Sequence, residues 1–381
     1  MPPPNYVNLP VTTGKKGEIM NITRRDAIKL GGGTLGAASM LGLAACGGSS
    51  DDKGSADGGS EKSSYKVAMV NSGPMMDGGW GQGHLDSLKK ALEAHTNWEM
   101  LEPKENTASA DSPTAAQSYV DQGVDLIIGC GNEFGSAWID VVAEAAESNP
   151  DVKFLLTNTD PAVDLADYET LENVECVQVN LKQAGALAGV VAGLMTQSNS
   201  IGFIGGMKLP TTLTKYSAYL AAAQKVNPEV KGSYNFEAGF IDASFGAKIT
   251  EQWIASTGLD VMWGDASAVD NGARQALEAA GADTHFDIAQ PIDAVGDAQP
   301  TVITSTVTDW MFGEAMDQVE KGEYGDGKVI EANIDNGGVH LGSFSSKVPE
   351  DVQKKVEEYT EQIKADTLIT DAEVDAIKAT L

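Results

Sequence analysis

From Tyr65 almost to the end of the chain, short apolar runs alternate with helical patterns, and this rhythm narrows the possible folds more than any other feature. The first run, Lys66–Val70 (KVAMV), stops at Asn71-Ser72-Gly73-Pro74, a turn signal. Further strand-like runs are Val124–Ile128, Val152–Leu156, Val174–Val179, Ile201–Ile204, Val261–Trp263 and Val302–Ile303. Between them, apolar residues at spacings of three and four mark helices over Leu85–Ala94, Trp138–Ala146, Ala184–Met195, Tyr216–Val226, Ala247–Thr257, Gly272–Ala280 and Met311–Lys321. A strongly charged helix, Glu350–Ala365, follows. Strands separated by helices of this length imply parallel sheets in a doubly wound α/β fold. A chain of 381 residues exceeds one comfortable core, so two lobes are expected.

In such folds a ligand sits beyond the carboxyl ends of the strands, so functional residues should directly follow each run. This selects Asn71-Ser72-Gly73 with Asp77 and Trp80 a little further on; Asn132-Glu133-Phe134; Asn158-Thr159-Asp160; Gly205-Gly206-Met207; Asp265-Ala266-Ser267; and Ser305-Thr306. The set is rich in amides, hydroxyls, carboxylates and aromatics and poor in cations, Lys208 being the chief one. Carboxylates accept hydrogen bonds from hydroxyls and aromatic faces stack on rings, so a polar, neutral or weakly cationic solute with a flat ring suits it.

The N-terminus has the layout of an export signal. Lys15, Lys16, Arg24 and Arg25 precede Ala27–Ala45, a Gly- and Ala-rich apolar run too short and weak for a membrane span, and small residues follow. Thr23-Arg24-Arg25-Asp26 resembles the twin-arginine export motif, and Leu43-Ala44-Ala45-Cys46 resembles the bacterial lipobox, in which the Cys becomes the lipidated first residue. Residues 47–64 hold no aliphatic side chain larger than Ala, which reads as a tether holding a folded body off a membrane. The expected layout is a signal peptide at 1–45, then the lipidated Cys and tether at 46–64, with the body at the extracytoplasmic face of the cell membrane.

Charge removes one class of partner. The leader takes away five basic and two acidic residues, leaving 21 basic against 53 acidic from Cys46 on, a net charge of −32. Nucleic acid and anionic lipid surfaces are repelled by such a field. No metal spacing or cofactor motif is present: His84, His95, His285 and His340 are scattered, and the Gly-rich stretch Gly78–Gly83 lacks phosphate-loop spacing. Ser244 lacks the Gly-x-Ser-x-Gly setting of a hydrolase nucleophile. Cys130 and Cys176 read either as a pair or as two buried thiols.

The stretch KVAMV…MMDGGWGQG…LKKALE resembles the basic membrane lipoprotein family, the nucleoside-binding proteins of ABC transporters. The likeness continues in VDLIIGCGNEF, NPDVKFLL, LAGVVAGLMTQSNSIGFIGGMKLP, AAAQKVNPEV, GFIDASFGAK and TVITSTV, from about residue 65 to 345. It implies a type I periplasmic-binding fold of two Rossmann-like lobes that close by a hinge around a solute, nucleosides being favoured. Partners would be that solute and a transporter permease, with the protein a monomer, not an enzyme and without cofactor. The lobes would comprise residues 65–180 plus 285–308, and 181–284 plus 309–381, with crossings near 180, 284 and 308. Trp80 and Phe240 correspond to an aromatic pair that clamps a base; Asp77 and Asp287 correspond to polar anchors, Asp287 for ribose hydroxyls; Asn132, Phe134 and Ser136 occupy the base-facing loop. The sequence departs from the family in having Trp80 for Phe, Gly81 for Asn, Ser136 for an acidic residue and no Lys near Thr308.

Competing readings stand beside these. Trp80 is either a ligand platform or packing over a lobe, Phe240 either faces ligand or joins the core, and Asp77 either anchors ligand or caps the helix that begins near Gly81. For the whole chain the rivals are a sugar- or signal-binding protein that feeds a membrane sensor and an exported hydrolase.

Overall fold

Two sheets of six strands organise the chain. The structure is a computed structural model and describes residues 62–157, 168, 171–296, 298–325 and 329–381. Arg24, Arg25, Cys46, the leader, nearly all of the tether and the group Asn158-Thr159-Asp160 lie outside the described residues.

In chain order the strands are β1 (Tyr65–Val70), β2 (Trp98–Met100), β3 (Leu126–Gly129), β4 (Lys153–Thr157), β5 (Val174–Val179), β6 (Ser200–Gly205), β7 (Lys231–Asn235), β8 (Val261–Asp265), β9 (Phe286–Ala289), β10 (Val302–Thr308), β11 (Val329–Ala332) and β12 (Val339–Leu341). The first sheet runs β11-β5-β4-β3-β1-β2, every neighbour parallel. The second runs β12-β10-β9-β8-β6-β7 and is parallel except where β12 lies antiparallel to β10. Central strands such as β3 (LIIG) and β6 (SIGFIG) are buried along their whole length, as helices on both faces of a parallel sheet require.

The helices are α1 (Trp80–Ala94), α2 (Ser112–Val120), α3 (Gly135–Ser148), α4 (Leu181–Met195), α5 (Pro210–Val226), α6 (Ala243–Thr257), α7 (Ala268–Gly281), α8 (Phe312–Lys321), α9 (Glu350–Lys364) and α10 (Asp371–Lys378). Helix α4 carries Gly185, Gly189 and Gly193 on one face, against α5. A β-carbon at Gly185 would lie 2.4 Å from the Lys215 carbonyl oxygen, and one at Gly189 2.2 Å from that of Tyr219. The two helices therefore touch backbone to backbone, which fixes α5 tightly over the second sheet. Among the described residues no helix is long and apolar enough to cross a membrane.

The sheet pairing corrects the expected lobe boundaries. Residues 285–308 do not join the first lobe: β9 pairs with β8, and β10 with β9, inside the second sheet. The Phe286 amide donates to the Asp260 carbonyl at 2.8 Å and Asp287 pairs with Arg274 of α7, which holds β9 in the second lobe. After β10 the chain returns to the first lobe, where α8 packs on α1 and β11 pairs with β5, before β12 rejoins the second sheet. Crossings therefore fall near residue 180, at 309–311 and between β11 and β12, with none near 284. They run side by side: the Asn180 amide donates to the Ala332 carbonyl at 2.8 Å, and the Asp309 amide to that of Gly338 at 2.9 Å. The expected two-lobed α/β architecture with a hinge is otherwise as read from the sequence.

Candidate functional site

Beyond the carboxyl end of β1, Asn71 is buried and its amide donates to the Gly73 carbonyl at 2.9 Å, turning the chain toward α1. Asp77 then accepts from the backbone amides of Gly79 (2.8 Å), Gly81 (3.1 Å) and Gln82 (3.1 Å). Of its two readings the helix-capping one accounts for both carboxylate oxygens.

Trp80 opens α1, half-buried, and its indole N–H donates to the Cys130 carbonyl beyond β3 at 2.8 Å. Its ring meets Trp310 edge-on, with centroids 5.0 Å apart, and lies 4.6 Å from His84. His84 is buried and stacks on Trp310. Its Nδ1 lies 2.8 Å from the Trp80 carbonyl and its Nε2 2.8 Å from the Thr157 hydroxyl at the end of β4. A carbonyl only accepts, so Nδ1 carries the hydrogen and Nε2 accepts from Thr157. Burial drives the imidazole pKa down to about 3, outweighing the Trp80 carbonyl that raises it, so the ring is neutral.

On the second lobe Asp265 ends β8 and receives the Lys215 ammonium of α5 at 2.8 Å. Lys215 also donates to the Gln290 side-chain oxygen at 3.1 Å, while the Gln290 amide donates to the Gly264 carbonyl. Phe240 is 42 % exposed and its ring packs on Gly206 beyond β6, where a β-carbon would leave it no room. The Phe240 carbonyl accepts from Ala268 at 3.1 Å, which places it beside Ser267.

The two lobes meet through the first turns of α1. A β-carbon at Gly79 would sit 3.8 Å from the Ser267 Cα, and one at Gly83 would sit 3.0 Å from the Pro291 Cγ. Trp80 lies between those two glycines in sequence. Trp80 thus lies at this contact, and Asp265 and Gln290 lie within two residues of its second-lobe members Ser267 and Pro291, with Lys215 bonded to both and the Phe240 carbonyl bonded to Ala268.

Four expected site residues do not lie at this contact. Phe134 is fully buried and stacks on Trp138 in the core of the first lobe, centroids 5.6 Å apart. Asp287 lies within β9, only 2 % exposed, and accepts from Arg274 Nε at 2.7 Å. Burial raises its carboxyl and the Arg274 guanidinium pulls it back, so its charge serves an internal ion pair of the second lobe. Asn132 opens a short 3₁₀ turn, half-buried, and Ser136 is exposed early in α3; neither meets the opposite lobe in a described contact. Lys208, expected as the main cation here, donates instead to the Leu381 carbonyl. His84, Lys215, Gln290 and Trp310 were not visible as site residues. Lys215 sits one residue before the helical pattern that begins at Tyr216, and nothing in the sequence says that it reaches β8. Cys130 is a buried free thiol, and Cys176 is buried as well. Among the described residues no group of His, Cys, Asp or Glu is placed to hold a metal.

Residues 64–376 match the model of the family described as ABC transporter substrate-binding protein PnrA-like. The chain belongs to this family. Among its relatives, the CD4+ T-cell-stimulating antigen of Listeria innocua is 28 % identical over 86 % of this chain and 93 % of its own length. The putative ABC transporter glucose-binding protein TsgA13 of Haloferax volcanii is 25 % identical over 92 % and 91 %. The ABC transporter nucleoside-binding protein BmpA of Lactococcus lactis is 25 % identical over 66 % and 73 %. An ABC transporter solute-binding protein of Conexibacter woesei shares the fold, with a TM-score of 0.67 at 21 % identity over 81 % of this chain and 99 % of that one. PnrA-like proteins bind small solutes for transporter permeases on the extracytoplasmic side of the membrane.

Proposed function

We propose that this PnrA-like protein closes its two lobes around an uncharged polar solute with a flat ring, of the nucleoside class, and presents it to an ABC permease without covalent chemistry. The observation that carries this reading is Trp80. Its indole is pinned by Cys130, braced by Trp310 and left half-buried where the lobes approach each other. An aromatic residue held this way supplies a stacking face at little entropic cost. Phe240, partly exposed beside Ser267, supplies a second face from the other lobe. The nucleoside named for the Lactococcus lactis relative agrees with this chemistry.

The anchoring belongs to the same proposal: Cys46 carries lipid, residues 1–45 are the export signal with Arg24 and Arg25 in it, and the body acts as a monomer at the outer face of the cell membrane. Replacing Cys46 by Ser should release the protein from the membrane fraction.

The test of ligand class is a thermal-shift screen of the purified protein against nucleosides, nucleobases, sugars and amino acids. Ligand at about 100 times its dissociation constant adds about 2.7 kcal/mol, a shift of several degrees. A shift with nucleosides supports the proposal. A shift with sugars alone would retire the ring and favour the chemistry named for the Haloferax volcanii relative.

A further inference from the structure

On the wall of the second lobe, three side chains from three elements converge. Lys215 reaches from the second turn of α5, Asp265 ends β8 and Gln290 directly follows β9. The Lys215 ammonium bonds Asp265 Oδ1 at 2.8 Å and Gln290 Oε1 at 3.1 Å, and the Gln290 amide is held by the Gly264 carbonyl. Each polar group is thereby oriented by another, and α5 itself is pressed onto α4 at Gly185, against the carbonyl of Lys215. The cluster is partly open, the Lys215 and Asp265 side chains being 13 % and 23 % exposed. Asp265 Oδ2 has no hydrogen-bond partner among the described residues. Lys215 bonds two acceptors and has three hydrogens.

This wall adjoins the second-lobe residues that touch the first turns of α1. Ser267, two residues after Asp265, lies against Gly79, and Pro291, next to Gln290, lies against Gly83. A ring stacked on Trp80 would therefore present its substituents to Lys215 and Asp265. The pair offers an acceptor and a donor side by side with no net charge. A neutral ligand group that donates and accepts at adjacent atoms matches it, as a vicinal diol or a ring lactam does. An anion would meet the free Asp265 oxygen, and a cation would meet Lys215.

We propose that Lys215, held by Asp265 and Gln290, determines the specificity of the site, selecting neutral ligands that carry such an adjacent donor–acceptor pair. This deepens the transport reading above and rests on the solute occupying the gap beside Trp80.

The experiment is calorimetric titration of the wild-type protein, Lys215→Met, Lys215→Arg and Asp265→Asn with inosine, 2′,3′-dideoxyinosine, hypoxanthine and glucose, with melting of each unliganded variant as a folding check. Wild type should bind at least one diol- or lactam-bearing probe. Lys215→Met and Asp265→Asn should weaken that probe about tenfold or more, the scale of one hydrogen bond to a charged group. Lys215→Arg should restore part of the loss while the unliganded melting points stay close. Loss of affinity on removing the 2′,3′-hydroxyls, abolished in Lys215→Met, assigns the diol; retained affinity for hypoxanthine that falls in Lys215→Met assigns the lactam. Glucose bound in a Lys215-dependent way, with inosine ignored, upholds this anchor and overturns the ring reading. Inosine bound equally by wild type and Lys215→Met, with unchanged discrimination among probes, overturns the anchor and leaves the ring reading intact. Binding of none of the four overturns both.

Discussion

The imidazole of His84 stacks on the indole of Trp310 with centroids 4.1 Å apart and planes 20° from parallel. Trp310 belongs to the crossing that joins the two lobes, and its backbone amide donates to Ser87 Oγ of α1 at 3.3 Å. The crossing is tied to α1 a second time by Lys90 and Asp309, 2.6 Å apart. The residue that braces Trp80 is thus itself part of the hinge.

Trp80→Ala should weaken ligand binding about a hundredfold or more, since it removes the stacking face. Trp80→Phe should lose less, keeping a ring but not the bond to Cys130. Titration following tryptophan fluorescence checks both, and wild-type binding should change that signal. Unaltered affinity in Trp80→Ala would refute stacking.

His84 makes stability depend on pH in a defined direction. Its folded pKa of about 3 lies below the ordinary 6.5, so between these values the unfolded chain takes up a proton that the folded chain refuses. The stability due to neutral His84 is complete above about pH 6.5 and is lost as pH falls, by up to ~1.4 kcal/mol per pH unit. Asp270 acts oppositely: burial raises its carboxyl to about 7 from 3.8, so its contribution falls as pH rises through that window. Denaturation of His84→Gln between pH 6.5 and 4 should therefore show a shallower loss of stability on acidification than wild type. Parallel curves would mean that His84 accepts its proton inside the fold.

Gly189→Ala should destabilise the protein despite the better helix propensity of Ala. The new methyl would meet the Tyr219 carbonyl oxygen at 2.2 Å, and forcing α4 from α5 costs on the order of 1–3 kcal/mol, against a propensity gain of about 1. Urea titration measures the difference. A more stable variant would show that the helices separate freely.

Salt should stabilise the protein. The chain from Cys46 carries 53 acidic and 21 basic residues, and like charges spread over one surface oppose compaction. Raising the salt from about 0.01 to 1 M shortens the screening length from roughly 30 to 3 Å and should raise the melting midpoint. A midpoint that falls would show that ion pairs outweigh the repulsion.

What the sequence displayed follows from burial. The inner strands β1, β3, β4, β5, β6, β8 and β10 are covered on both faces and read as apolar runs, and all were visible. The four edge strands, β2, β7, β11 and β12, were not: β7 (KGSYN) contains no residue buried below the surface, and the others span three or four residues. With β11 unread, nothing in the sequence showed the chain returning to the first lobe after β10. β9 (FDIA) hid for a different reason, because its Asp287 is buried by pairing with Arg274, thirteen residues earlier. The strand-end rule selected Trp80 and Asp265, and the family resemblance pointed to Phe240. It missed Lys215, since a helical lysine reveals its partner only when the helix is docked. Phe134 follows a strand, yet its ring turns inward to Trp138, a choice of direction that spacing alone does not encode.

The Gly79–Ser267 approach and the Trp80–Trp310 contact differ in what an opening motion does to them. Parting the lobes separates the first, which spans them, but leaves the second in place, because Trp310 is fastened to α1 through Ser87 and His84. On the function proposed above, the open protein displays a finished aromatic shelf, and capture requires only the opposite wall to swing in. The ordering cost of binding falls on one lobe, so substitutions on the Lys215 side should chiefly alter how long a ligand stays, while those around Trp80 decide whether it lands at all.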